Sequence, residues 1–159
     1  MTAGAQQSAA EDTAAVFGRI LVPVSFNQDS HQAIHVALEL SSMSGAKVCV
    51  FHASHGSEGD GFLAGIGSPP SSGDLVTQAR EALERLVGNI EPERKQGVEY
   101  DATLESDFVD AIRDKAQEWG ATLVVLSHER YKSILRTPSE KLVKELPVPA
   151  LILQPGAGG

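Results

Sequence analysis

The sequence predicts a single α/β domain: one parallel sheet with helices packed on both faces. Three observations carry this. Short, apolar, β-branched runs alternate with segments whose apolar residues repeat at helical spacing. Strand–helix alternation demands crossover connections between parallel neighbours, which places helices over the sheet. The chain has 159 residues, 42% hydrophobic and 21% charged, a size and balance suited to one core.

The elements follow in order. Residues 19–24, RILVPV, read as a buried strand, with Pro23 marking its end. Asn27 or Ser30 is expected to cap the next helix, in which Ala33, Ile34, Ala37, Leu38 and Ser41 share a face and which Gly45 stops. A second strand covers 47–53, KVCVFHA. Residues 54–73 hold six glycines and two prolines and are expected to form a long loop. Asp74 opens a helix with Val76, Ala79, Leu83, Leu86, Val87 and Ile90 on one face. A third strand is predicted at 98–104. The helix at 107–119 gathers Phe108, Ala111, Ile112, Ala116 and Trp119, and Gly120 ends it. A fourth strand spans 122–127. Thr137, Pro138, Ser139 and Glu140 form a capping box with Pro at the first helical position, so a short helix starts there. The last strand is 150–153, ALIL. Residues 1–17 and 156–159 are expected to be tails flanking a domain at 18–155.

The net charge of −8 argues against broad contact with nucleic acid or an anionic membrane, which repel a negative surface. Cys49 is the only cysteine, so no internal disulfide can form. No apolar run reaches the ~20 residues of a membrane span. The N-terminal segment lacks the basic and apolar regions of a signal peptide. A cytoplasmic location follows as the expectation.

Ligands of such sheets sit at the carboxyl ends of the strands, near the point where strand order reverses. Several residues there suggest chemistry. His52, His55 and His128 could approach one another, but no cysteine or paired carboxylate completes a ligand set, so no metal is assigned. His31 and His35 have helical i,i+4 spacing without the Glu of a zincin and are expected on a solvated face. Ser127 and His128 are adjacent in a strand and point to opposite faces. That arrangement is wrong for a nucleophile and its base, so no catalytic residue is assigned. Arg130, Lys132, Arg136, Lys141 and Lys144 form a basic stretch, read as solvated because Glu129, Glu140 and Glu145 offset it. Cys49, in mid-strand, is expected to be a buried, inert thiol.

Three segments resemble the universal stress protein family: ILVPVSFNQDSHQAIHVAL at 20–38, AKVCVFHA at 46–53, and ATLVVLSH at 121–128 continuing to SEKLVKELPVPALIL at 139–153. The resemblance implies strand order 3-2-1-4-5 and an adenine nucleotide alpha hydrolase-like fold. It also implies a nucleotide pocket formed by Val24, Ser25, His52, Ser127, His128, Arg130, Arg136 and Thr137. ATP-binding members carry an Asp where this chain has Ser25, and a Gly-x2-Gly-x9-Gly-(Ser/Thr) loop. Here the glycine positions hold Leu126, Glu129 and Arg136, and the loop 130–135 is too short; only Thr137 matches. Side chains at those positions block close backbone approach to phosphates. Glu129 beside a phosphate costs about 1–4 kcal/mol. The pocket is therefore read as degenerate, and no cofactor is expected.

The function this implies is a non-catalytic stress-response or regulatory binding protein. The alternatives are an ATP- or AMP-binding switch with slow hydrolysis, and a sensor of another small anionic metabolite. The implied order also places the last strand at an edge with no protecting charge, so a homodimer is expected through Val148, Ala150, Leu151, Ile152 and Leu153.

Overall fold

The computed structural model describes residues 17–26, 29–53, 72–94, 97–104, 107–127 and 145–154. Its elements are β1 (Arg19–Pro23), α1 (Asp29–Ser44), β2 (Lys47–Ala53), α2 (Ser72–Ile90), β3 (Val98–Thr103), α3 (Phe108–Trp119), β4 (Leu123–Ser127) and β5 (Ala150–Leu153). All five strands are parallel, in the order β3-β2-β1-β4-β5. The expected fold class and strand order hold. Residues 1–16 and 156–159 of the expected tails, residues 54–71 of the expected loop at 54–73, and the start of the helix expected at Thr137–Pro138 lie outside the described residues; Ser72 and Gly73 belong to α2 and not to the loop. Phe17, assigned to the tail, packs partly buried against the core.

The alternation of side chains along each strand sorts the core into two layers. Ile20, Val22, Val24, Val48, Val50, Leu123 and Val125 face α1 and α2, which contribute Ala33, Ile34, Ala37, Leu38, Leu83 and Val87. Leu21, Cys49, Phe51, Ala53, Val124 and Leu126 face α3, which contributes Val109, Ala111, Ile112 and Ala116. The central strands are apolar on both faces because both faces are covered. Cys49 is 1% exposed. Burial pushes its thiol up to about 12; Lys115 opposes that rise, and Asp101 and Glu99 add to it.

Helix ends follow local chemistry. Gly45 stops α1 with φ +76°. Gly120 ends α3 in the left-handed conformation, φ 74° and ψ 37°, where a side chain would be strained. Asp107 caps α3, its Oδ1 accepting from Val109 N at 2.9 Å and Asp110 N at 3.2 Å. Two expectations are corrected. Helix α2 begins at Ser72, two residues before Asp74, which lies in its first turn where a carboxylate complements the helix dipole. Ser30 is not a cap: α1 begins at Asp29, and the Ser30 hydroxyl turns back to β1.

Candidate functional site at the carboxyl ends of the strands

Strand order reverses between β1 and β4, and Pro23 shapes that junction. Val24 N–H donates to Phe51 O at 2.8 Å, so Val24 addresses β2. By alternation the nitrogen of Pro23 faces β4, and it has no hydrogen to donate. The β1–β4 register runs only through Ile20↔Leu123 and Leu21↔Val124, whereas β1–β2 continues to Pro23↔Phe51. The two central strands therefore part early, at the place where this architecture usually receives a ligand.

The corner that follows is closed by its own side chains. Ser30, 1% exposed, accepts from Ser25 N–H at 3.0 Å and donates to Ser25 O at 2.5 Å. One hydroxyl thus takes up both backbone groups of Ser25. On β2, His52 is 7% exposed and its Nδ1 lies 2.9 Å from Val24 O. A carbonyl only accepts, so Nδ1 carries the hydrogen there. The Phe26 ring lies against His52 with centroids 4.6 Å apart and planes tilted by 55°. Ser127, 5% exposed, ends β4.

The structure thus brings Val24, Ser25 and His52 together and puts Ser127 at the end of the next strand but one from β2. His128, Arg130, Arg136 and Thr137 lie outside the described residues, as do His55 and the basic stretch 130–144. Among the described residues no group of three metal-ligating side chains assembles. Asp107, which follows β3, has its carboxylate committed to the α3 cap. Apart from His52, the described residues that close β1 and β4 (Val24, Ser25, Phe26 and Ser127) carry no ionisable side chain, which suits packing and hydrogen bonding more than charge neutralisation. Sequence reasoning missed two of them. The sequence offers Ser30 only as one of two possible caps, with Asn27, and no periodicity points to Phe26; the Ser–Phe pair immediately after a strand is the available signal.

The opposite end of the sheet carries a cavity of about 190 Å³ among Leu38, Ser41, Ser42, Val48, Arg94 and Val98. Its wall is tied to α1 by a hydrogen bond between His35 Nδ1 and Glu91 Oε1 at 2.6 Å and by the ion pair Arg94–Glu39 at 2.6 Å. His35 is exposed, as expected, but paired; His31 is exposed.

Comparison with known proteins bears on residues 17–154. The universal stress protein family profile matches residues 17–154. No curated protein matches. A solved universal stress protein family member from Burkholderia pseudomallei superposes with a TM-score of 0.56 at 22% identity, covering 87% of this chain and 96% of its own. One from Archaeoglobus fulgidus in complex with dAMP gives 0.57 at 22% identity, covering 86% and 98%. Another, in complex with cAMP, gives 0.64 at 16% identity, covering 87% and 97%. At these identities the likeness concerns the fold.

Proposed function

Because the chain belongs to the universal stress protein family, we propose that it is a regulatory binding protein of that family, without catalytic activity and with a degenerate nucleotide site. One observation carries this reading: Ser25, which stands where ATP-binding members carry Asp, has both backbone groups bonded to Ser30 Oγ. A ligand arriving there finds both backbone groups of Ser25 taken and meets only its short hydroxyl where ATP-binding members present a carboxylate. Opening the pair would expose buried polar groups, at a cost of about 1–3 kcal/mol. The sequence adds Leu126, Glu129 and Arg136 at positions where glycine would let backbone approach phosphates. The family resemblance adds His128, Arg130, Arg136 and Thr137 to the proposed pocket; all four lie outside the described residues.

A second reading, an ATP- or AMP-binding switch, draws support from the neighbours solved with cAMP and dAMP. Titration calorimetry with ATP and Mg²⁺ separates the two. We expect no heat of binding at ligand concentrations in the tens of micromolar. A dissociation constant in the low micromolar range, or adenine nucleotide copurifying with the protein, overturns the first reading. A sensor of another small anion remains the third, addressed by a thermal-shift screen of metabolites.

We also propose a cytoplasmic homodimer joined through β5. Ala150 and Leu151 are exposed on the edge strand, with Ile152 and Leu153 half-buried and no charged side chain among the four. Antiparallel pairing of two copies about a two-fold axis would cover this edge and leave no open-ended surface. Among the described residues no helix is long and apolar enough to cross a membrane.

A further inference from the structure

We infer that Arg113, on α3, sets the position of the β5 edge and through it the strength of self-association. The link to self-association rests on the dimer reading above; the control of the edge does not. The Arg113 guanidinium holds three carboxylates: Asp110 Oδ1 at 2.9 Å, Asp114 Oδ1 at 3.1 Å and Glu145 Oε2 at 3.3 Å. Asp110 and Asp114 are fixed on α3 itself. Glu145 belongs to the stretch that leads into β5.

That stretch is strapped to α3. Leu146 and Val148 pack into the α3-side core. Pro149 O accepts from Val124 N–H at 3.0 Å, and β5 starts at the next residue. Pro147 and Pro149 each fix a backbone dihedral. The strap therefore bends little, and a displacement at Glu145 is passed on to Ala150. Among the described residues Arg113 is the one cation within ion-pair distance of Glu145.

Removing Arg113 does more than delete a bond. Asp110 and Asp114 cannot leave their helix, so without the guanidinium they repel Glu145 and push the strap outward. Attraction becomes repulsion at the entrance to the edge. Arg113 is thus a positioning residue that never touches the surface it controls.

The test uses the full chain and three variants, Arg113→Gln, Glu145→Gln and the double variant, each examined by hydrogen exchange and sedimentation equilibrium. For Arg113→Gln, the β5 amides bonded to β4 should exchange about two- to fivefold faster, and the dimer dissociation constant should rise by a similar factor, the range of one partly exposed charge pair. The double variant should move back toward the unaltered chain, because the carboxylate that suffers the repulsion is gone. If Arg113 merely stabilised α3, the double variant would be as impaired as Arg113→Gln, and that result overturns the inference. Unchanged β5 exchange in Arg113→Gln overturns it too. If the unaltered chain is monomeric at tens of micromolar, the dimer reading falls, and β5 exchange still decides the role of Arg113.

Discussion

The two edges of the sheet solve the same problem in opposite ways. Edge strand β3 turns Glu99 and Asp101 toward the α3 side, in register with Cys49 and Phe51. Asp101 accepts from Lys115 Nζ at 2.6 Å, from Arg80 at 2.7 Å and 3.1 Å, and from the N–H of Ala102 at 2.9 Å. Arg80 comes from α2 and Lys115 from α3, so one carboxylate ties the helices of both layers across the edge. Glu99 accepts from Trp119 Nε1 at 2.9 Å, and Arg19 lies over the Trp119 ring at 4.5 Å from its centroid. Edge strand β5 has nothing comparable: its four residues, ALIL, are all apolar, and Leu151 is 38% exposed. Inward charges are how sheet proteins keep an edge from pairing, and their absence marks the edge left able to pair.

The largest effect is expected from breaking the guarded edge. Asp101→Ala leaves Lys115, 11% exposed, beside an empty site and removes bonds from both helices. We expect a loss of about 2–3 kcal/mol in urea unfolding, below the full cost of a deeply buried pair because Asp101 is partly exposed. The same carboxylate carries a pH signature. Burial pushes the Asp101 carboxyl up, but the bonds from Lys115, Arg80 and Ala102 N–H outweigh it, so it titrates below the usual range. A depressed folded-state value means its stabilisation is complete above the unfolded pKa, ~3.9, and is lost as pH falls through the folded value. Unfolding free energy measured from pH 5 downward should fall less steeply in Asp101→Asn than in the unaltered chain; equal slopes would show that Asp101 is not the group responsible.

Guarding the bare edge is the converse change. Leu151→Lys should raise the dimer dissociation constant about tenfold or more, read by light scattering across a dilution series, while leaving urea unfolding of the monomer within about 0.5 kcal/mol. A dimer unaffected by that charge would place the interface elsewhere. The smallest expected effect sharpens the guarded side: Trp119→Phe keeps a ring for Arg19 but loses the bond to Glu99, costing about 1 kcal/mol. Faster exchange of β3 amides, with β5 unchanged, is the outcome that assigns the bond to its edge.

The contrast also marks what the sequence makes legible. β5 was readable because four consecutive apolar residues after Pro-Val-Pro announce a strand, and its lack of charge is visible directly. The guard on β3 was not readable. Asp101 lies 21 residues from Arg80 and 14 from Lys115, and no periodicity pairs residues on different elements. The strand-end site divides in the same way. Ser25 and His52 were legible as residues closing apolar runs. The Ser30 clamp was not, because a hydroxyl reaching back across a strand-to-helix corner depends on the path of the turn. Helix faces were read well where spacing alone decides, as for Ala33, Ile34, Ala37 and Leu38, and less completely in α3, where Val109 is buried without having been singled out. Gly45 and Gly120 were legible as stops because the left-handed conformation they adopt is one that few other residues enter.

Cys49 sits in mid-β2, between the edge that is guarded and the one that is bare, and it is the sole thiol of the chain. Sealed and held protonated, it is silent to alkylating reagents for as long as the sheet is shut. The rate at which such a reagent consumes it therefore clocks the opening of the domain, giving the protein a built-in probe that needs no engineered label.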